Sequence, residues 1–218
     1  MVNVDYFRQY VNFLANKNVE GFTQTTQQFN TTAMAAQLVP MSRDYETFVQ
    51  TGLVSQYLQT FLTTNHVFNP TTYNQIIPYP ADFQYVSSVG NLYGGTQNDA
   101  TLVDNVKWRE MFRPNSLNYP TLRDPKYQQI GAGIVVAPFN WGVGYLDYFH
   151  TPVQPVWGYT VVNNRQVYEP TTSVNFEWDM FAINMIASIF LSMIGINLQD
   201  GAIAQWSEQF KAETKLPL

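Results

Sequence analysis

The stretch FEWDMFAINMIASIFLSMIGINL, residues 176–198, decides the fold because it is either a membrane span or a buried helix. Its uncharged centre reaches the lower length limit for crossing a bilayer. Asn184, Ser188 and Ser192 recur every four residues, which places them in one stripe on a helix. A polar stripe facing lipid costs several kcal/mol, whereas a partner helix can satisfy it. We therefore favour a helix that is buried in a soluble assembly and ends at Gly195, with a membrane anchor as the alternative.

The composition indicates a surface that other molecules cover. The chain has 218 residues, enough for one large domain or two small ones, and it has no Cys, which excludes disulfides and thiolate metal sites. Only 12% of its residues are charged, against a usual share of about 25%. Its polarity comes instead from Asn, Gln and Thr, which oppose association less than charges do. A stable, mildly acidic monomer is the alternative interpretation.

The charge balance argues against a protein that coats DNA. The formal net charge is −5, so the chain as a whole does not neutralise phosphates. Its basic residues are nevertheless concentrated in one part of the sequence, which predicts either a local basic patch or scattered solvated charges. These residues are Lys107, Arg109, Arg113, Arg123 and Lys126.

Helical patterns begin at the start of the chain. Asn3 is placed to cap a first helix, whose apolar face is Phe7, Tyr10, Val11 and Leu14. The capping-box pattern T-x-x-Q at Thr25 predicts a second helix. Pro40 should end or kink this second helix at about Val39, because proline lacks the amide hydrogen that a helix interior uses.

Two further helices complete the helical parts of the chain. One is predicted over residues 45–62, although Gly52 weakens its pattern. Beyond Gly195, Asn197 can cap a last helix. The side chains predicted to face inward are Phe48, Val49, Leu53 and Phe61 in the first of these helices, and Ile203, Trp206 and Phe210 in the second.

The middle of the chain predicts strands. Prolines and glycines there separate short runs that are rich in aromatic and β-branched residues, and Asn163-Asn164 suits a tight hairpin turn. The sequence therefore predicts an α+β fold, in which a helical part at 1–65 packs with C-terminal helices at 173–218 and a strand-rich subdomain at 66–172 is inserted. The predicted strands are 75–77, 86–93, 102–106, 130–137, 145–149, 159–162 and 165–168.

No motif for catalysis or for a cofactor is recognisable, so we expect no enzyme activity, cofactor or metal. His66 and His150 lie far apart in the sequence without ligand spacing, and the glycine pairs do not form a phosphate-binding loop. Glycosidases need only two carboxylates, and aromatic side chains line sugar sites, so a carbohydrate-binding module of a phage tail or cell surface is an alternative. The carboxylates of the strand-rich region are Asp82, Asp99, Asp104, Asp147 and Glu169.

Four segments of the sequence follow one another in an order that is also found in a known family. They are residues 77–85 (IPYPADFQY), Trp108-Arg109 with Pro114 and Tyr119-Pro120, residues 148–158 (YFHTPVQPVWG), and residues 176–198. Together they resemble the neck or head–tail connector (ring, adaptor) proteins of tailed bacteriophages, in particular those of crAss-like and other Bacteroidota-infecting phages. The apolar last helix and the glycine-rich stretch 91–100 depart from the family pattern, so the resemblance leaves open which ring of the neck this is.

The resemblance implies a structural role in the virion, with assembly in the host cytoplasm. In that role the chain forms a homo-oligomeric ring, a dodecamer, stacked below the portal protein and beside other neck and tail rings. Genomic DNA passes through the channel without sequence-specific binding, and no membrane is involved. Adaptors of this kind dock a terminal segment on the portal, which implies a docking arm at 211–218 with Lys211, Lys215 and Leu218.

Two groups of interface residues follow from these readings. Because tryptophan and arginine are enriched at interfaces, we expect Trp108, Arg109, Arg113 and Trp157 to dock neighbouring proteins, although a core role for each tryptophan stays open. The polar stripe of Asn184, Ser188 and Ser192, together with Trp206, is the predicted contact between subunits of the ring.

Overall fold

A computed structural model describes residues 1–18, 24–69, 76–113 and 116–196. The predicted α+β class is confirmed, with helices towards both ends and strands in the middle. The helices are α1 (Val4–Asn18), α2 (Thr26–Thr51), α3 (Gln56–Gln59), α4 (Asn105–Met111) and α5 (Ile183–Met193). The strands are β1 (Leu62–Phe68), β2 (Ile76–Ile77), β3 (Phe83–Tyr93), β4 (Thr96–Asp99), β5 (Thr101–Leu102), β6 (Lys126–Ile130), β7 (Gly133–Ala137), β8 (Val143–His150), β9 (Tyr159–Val162) and β10 (Arg165–Tyr168).

The chain forms two compact units. The helical unit joins Met1–Thr60 to the described residues from Pro152 onward, and the strand unit is Phe61–Thr151. The strand unit is therefore an insertion between two parts of the helical unit. The boundaries lie at 60/61 and 151/152, so that the hairpin of β9 and β10 belongs to the helical unit.

The first helix begins at the predicted cap. The Asn3 side-chain oxygen accepts hydrogen bonds from the amides of Asp5 at 2.9 Å and Tyr6 at 3.0 Å. These bonds satisfy amides that have no partner inside the first turn of a helix. Phe7 and Val11, on the predicted apolar face, are buried. Local capping and apolar spacing are thus sufficient to explain α1.

The second helix begins as predicted but does not end at Val39. Thr25 and Gln28 form the reciprocal capping box. Pro40 lies inside α2, which continues to Thr51, so proline does not end the helix, and the kink that was the other expectation stays a prediction. Buried residues flank Pro40 on both sides, and this packing compensates for the one amide hydrogen that proline lacks.

The helix predicted over 45–62 does not exist as one element. Gly52, at a φ of 71°, adopts the left-handed conformation that ends α2, and the short α3 follows. Val49 and Leu53 were expected to face inward, but each is 64% exposed. The spacing of apolar residues therefore predicted burial of these two side chains wrongly, because that spacing was assumed to continue through the end of α2.

Phenylalanine side chains join the N-terminal and C-terminal helices of the helical unit. The ring of Phe190 on α5 lies 5.7 Å from that of Phe7 and 5.6 Å from that of Phe29. Asp179 caps a short 3-10 turn, Met180–Ala182, that leads into α5. Gly195, at a φ of 80°, lies beyond the end of this helix, as predicted. Within the described ranges, no helix is both long and apolar enough to cross a bilayer.

The strand unit contains two four-stranded sheets. The first has the antiparallel order β1-β8-β3-β4, and the second has the order β2-β7-β6-β5, in which β5 runs parallel to β6. Both sheets contribute to one buried core, for example through Leu146 of β8 and Ile134 of β7. The core therefore lies between the two sheets.

Most predicted strands are confirmed, and the differences have local causes. The hairpin of β9 and β10 turns at Asn163 and Asn164, with φ values of 49° and 59°. Of the strand predicted over 102–106, only Leu102 lies in a strand, β5, because α4 begins at Asn105. The stretch 91–100 is not a loop, since β3 and β4 pair across a turn at Gly94 and Gly95. Strands β1, β4 and most of β6 were not predicted, and Leu62 was assigned to a helix.

Candidate functional site

Helix α4 of the strand unit carries two of the predicted docking residues, Trp108 and Arg109, and Arg113 follows two positions after its end. Its cap is Asp104, whose carboxylate accepts hydrogen bonds from the amides of Lys107 at 2.8 Å and Val106 at 3.0 Å. The backbone bond from Lys107 is the main reason that the pKa of Asp104 lies below its usual value. Met111, at the other end of α4, is buried and anchors the helix to the unit. The helix is thereby held against the unit, with Trp108 half-buried and its other side chains exposed.

Four aromatic side chains pack together at the C-terminal end of α4. Phe112 is at their centre, 5.6 Å from Trp108, 5.8 Å from Tyr119 and 5.7 Å from Phe139, measured between ring centroids. Trp108 and Phe112 are half-buried, whereas Tyr119 and Phe139 are exposed. Edge-to-face and stacked rings at these separations support one another, so the cluster is an ordered apolar surface.

Exposed aliphatic and basic side chains lie on α4 and just after it. Val106 on α4 is 68% exposed, and Leu117 is fully exposed. Arg109 and Arg113 are exposed and form no ion pair with a described residue, whereas Lys107 pairs with Asp104 at 3.5 Å. We call the whole set the α4 surface; its members are Val106, Trp108, Arg109, Phe112, Arg113, Leu117, Tyr119 and Phe139.

The cavity beside α4 is small, so the protein surface there suits binding of a macromolecule better than binding of a small ligand. The adjacent cavity has a volume of about 190 Å³ and is lined in part by Lys107, Glu110 and Asn118. Sites for drug-sized ligands usually have volumes of about 300–1,000 Å³, so this cavity is smaller than such a site. The apolar groups of the α4 surface instead lie on the outside, where a partner chain can cover them.

Trp157, which was expected to dock a neighbour, is buried in the helical unit. It is only 6% exposed, and its indole N–H donates to a carboxylate oxygen of Asp5 at 2.8 Å. The guanidinium carbon of Arg8 lies 3.6 Å from the centre of the indole ring system. Burial, opposed in part by Asp5, lowers the pKa of Arg8. The expectation for Trp157 is corrected, because its contacts are already made within its own chain.

The polar stripe of α5 is only partly available to another subunit. Asn184 is half-buried and accepts a hydrogen bond from the hydroxyl of Tyr10 on α1 at 2.8 Å. Ser188 is half-buried, and Ser192 is exposed. The stripe thus begins inside the helical unit at Asn184 and emerges at Ser192. Trp206, Lys211, Lys215 and Leu218 lie outside the described residues.

The carboxylates of the strand-rich sequence have structural roles. Asp82 accepts a hydrogen bond from the Tyr148 hydroxyl at 3.0 Å, and Asp147 accepts one from the Ser88 hydroxyl at 2.9 Å. Burial and the bond to Asp82 raise the pKa of Tyr148. Asp99, Asp104 and Glu169 likewise accept bonds from side chains or amides of their own chain. Among the described residues, no group of three His, Asp or Glu side chains is arranged to hold a metal ion.

Sequence reasoning found the residues of α4 but not the helix. The β-branched and apolar residues before Asn105 favoured a strand, and this hid a capping signal at Asp104. Trp108, Met111 and Phe112 recur at spacings of three and four, which is a helical pattern. Tyr119 and Phe139 could not be found in this way, because they reach the cluster from other parts of the chain.

Comparison with known proteins leaves the function to be argued from the residues themselves. No protein-family model matches the chain, and no curated protein matches its sequence.

Proposed function

We propose that the protein is a non-enzymatic structural protein of a tailed-phage virion, forming a ring in the neck between portal and tail. In this role it extends the DNA channel and docks neighbouring rings. The observation that carries the proposal is the α4 surface, in which a cluster of four partly or fully exposed aromatic rings adjoins the exposed Arg109 and Arg113 in the sequence. Contiguous exposed apolar surface marks interaction sites, and aromatic residues with arginine are the types enriched there.

The two units provide unlike surfaces, which suits a ring. The strand unit has the α4 surface. The helical unit has the polar stripe, which is exposed at Ser192, and the exposed side chains of Met180 and Phe181 in the turn before α5. A contact between two different surfaces is heterologous, and such contacts generate closed rings when the rotation between subunits closes. The low share of charged residues is consistent with extensive coverage by neighbours.

The net charge of −5 agrees with passage of DNA rather than retention of it. Like charge disfavours tight binding to a phosphate backbone, and a channel through which DNA moves must not hold it. Arg109 and Arg113 are then assigned to protein neighbours.

The native mass of the assembly tests the proposal. The complex that contains this chain should be purified without detergent from its natural source and weighed by native mass spectrometry. The expected particle contains about twelve copies of the chain, as the resemblance implies, together with portal or tail proteins. A lone 25.0 kDa chain would contradict the proposal.

A second test addresses the polar stripe. Ser188→Leu places a bulky side chain at the half-buried position of the stripe, so we expect weaker ring assembly with an unchanged far-UV circular dichroism spectrum. Ser188→Ala is the matched control, because it removes the hydroxyl without adding bulk and should assemble normally. Equal assembly of the leucine variant would remove the stripe from the subunit contact.

A further inference from the structure

We propose that strand β9 of one copy of the chain pairs with strand β9 of a second copy in solution. The two strands run antiparallel around a twofold axis at Thr160, so that two hairpins form one four-stranded sheet. This contact is isologous, because both copies use the same residues. It needs no ring and goes beyond the proposed function.

The hairpin of β9 and β10 is a two-stranded sheet that its own chain covers poorly. All four residues of β9 are exposed, and the apolar side chains Val161, Val162 and Val167 lie on the surface. At the base of the hairpin, the ring of Tyr168 lies 6.0 Å from that of Trp157. An isolated two-stranded sheet is marginally stable in water, so a further strand would stabilise this hairpin.

The outer edge of β9 has free backbone groups. The amide of Glu169 donates to the carbonyl of Gly158 at 3.0 Å, so this pair of residues points into the hairpin. Because inward and outward residues alternate along a strand, Tyr159 and Val161 direct their amide and carbonyl groups away from β10. No described residue pairs with these groups. The next outward amide, that of Trp157, already donates to a side chain of α2 at 2.9 Å, which limits the free edge to two residues.

Strand β9 lacks the features that protect the other edge strands of the described sheets. Strands β2 and β5 have only two residues each, and β1 has a bulge. Strand β4 ends with the charged Asp99, and β10 begins with Arg165. Short length, bulges and charges all discourage pairing at an edge. Strand β9, with the sequence YTVV, has no charge, proline or bulge, so its edge is open to pairing.

The sequence of β9 matches itself in antiparallel pairing. The register that uses both free residues of each copy places Tyr159 opposite Val161 and Thr160 opposite Thr160. Aromatic with β-branched pairs and threonine pairs both stabilise neighbouring strands. Val162 then lies opposite Gly158, which has no side chain to obstruct it. A second copy therefore supplies every group that the free edge needs.

Charge does not oppose this pairing. In the hairpin and the residue after it, the charged residues are Arg165 and Glu169. With strands about 4.8 Å apart and a rise of about 3.4 Å per residue, the two copies of each charge lie about 20 Å from each other. This separation exceeds the Debye length of about 8 Å at physiological ionic strength. Asp5 and Arg8, which contact Trp157 at the base of the hairpin, have opposite charges.

The absence of cysteine from the sequence allows a direct test in the full-length protein. In the proposed register, the Cα atoms of the two Thr160 residues lie about 4.5 Å apart, which a disulfide can bridge. Under mild oxidation, Thr160→Cys should form disulfide dimers about tenfold faster than Val161→Cys or Val167→Cys. Both control positions are exposed on the same hairpin, but their copies lie too far apart for a disulfide. Equal rates for the three variants would overturn the proposal.

A charge variant tests the same contact without cysteine. Thr160→Lys places like charges directly opposite each other and should weaken the dimer about fivefold, measured by sedimentation equilibrium over a range of concentrations. Val167→Lys is the matched control, because it adds the same charge to the same hairpin with its copies about 14 Å apart, and it should dimerise like the parent protein. Equal weakening by the two lysines would contradict the register.

Two further outcomes separate this contact from the alternatives. A parent chain that sediments as a monomer while the amide of Val161 is protected from hydrogen exchange would overturn the proposal, because another part of the chain would then cover the edge. A ring of the expected mass without trapping at Thr160 would refute this contact and leave the proposed function standing. Trapped pairs without any ring would do the opposite.

Discussion

Replacing Trp157 by Phe should destabilise the helical unit without altering any docking surface. The indole is buried, its N–H donates to Asp5 at 2.8 Å, and Arg8 lies over its face. Phenylalanine keeps an aromatic ring at this position but has no donor. The variant therefore separates a structural role of Trp157 from the docking role that its residue type suggested.

The expected loss of stability is about 3 kcal/mol. A hydrogen bond to a charged acceptor contributes about 1.5–3 kcal/mol, and the lower end applies because Asp5 is only half-buried and water can replace the donor. The weaker attraction of a phenyl ring for Arg8 removes about 0.5 kcal/mol more. The smaller ring leaves unfilled space in a buried site, which costs about 1 kcal/mol.

Equilibrium unfolding in urea, followed by far-UV circular dichroism, measures this loss. The midpoint should fall by about 1–1.5 M. A double-mutant cycle with Asp5→Ala should give a coupling energy of about 1.5 kcal/mol, because the two side chains are in direct contact. Trp108→Phe is the matched control: this tryptophan is half-exposed on α4, and its replacement should cost under about 1 kcal/mol.

Two results would refute the reasoning. Equal midpoints for Trp157→Phe and the parent protein would show that the indole bond contributes nothing to the fold. A coupling energy of zero in the cycle would show that the Asp5 contact is not the cause of any loss.

Three further changes probe the local structure. Thr25→Ala removes the capping box of α2 and should lower the free energy of unfolding by about 1 kcal/mol, whereas an unchanged urea midpoint would contradict the cap. Burial raises the pKa of Asp44 above its ordinary value, so the contribution of this side chain to stability is present at low pH and is lost as the pH rises through the folded-state pKa. The stability of Asp44→Asn relative to the parent protein should therefore increase between pH 4 and pH 7. A difference in stability that stays constant over this range would contradict the reasoning. Asn163→Ala places an alanine at a φ of 49° and should lower the stability of the hairpin by about 1 kcal/mol, which is measured as faster amide hydrogen exchange in β9 and β10. Asn164→Gly should leave that exchange unchanged or make it slower, because glycine adopts positive φ without strain.

Elements with a complete local signal were predictable from the sequence. Asn3, the capping box at Thr25, the turn at Asn163 and Asn164, and the stop at Gly195 each act through bonds or backbone conformations a few residues away. The information for such features lies entirely within a short window of sequence, so a pattern identifies them without knowledge of the fold.

Errors arose where distant packing outweighed a local preference. Pro40 remains inside α2 because buried residues on both sides of it hold the helix. The apolar residues before Asn105 favoured a strand, yet the cap at Asp104 and the buried Met111 produce α4. A short segment with two compatible patterns takes the one that its tertiary contacts stabilise.

The sequence by itself determined the α+β class, the starts of the first two helices, most strands, and the low charge that indicates a covered surface. Only the tertiary structure decided which tryptophans are buried: Trp157 meets Asp5, 152 positions away in the chain, whereas Trp108 stays half-exposed in the cluster with Phe112. The physical reason is that burial depends on partners brought together by folding, and the residue types of the two tryptophans are identical. The exposed surface around α4 therefore became visible only when these distant contacts were known.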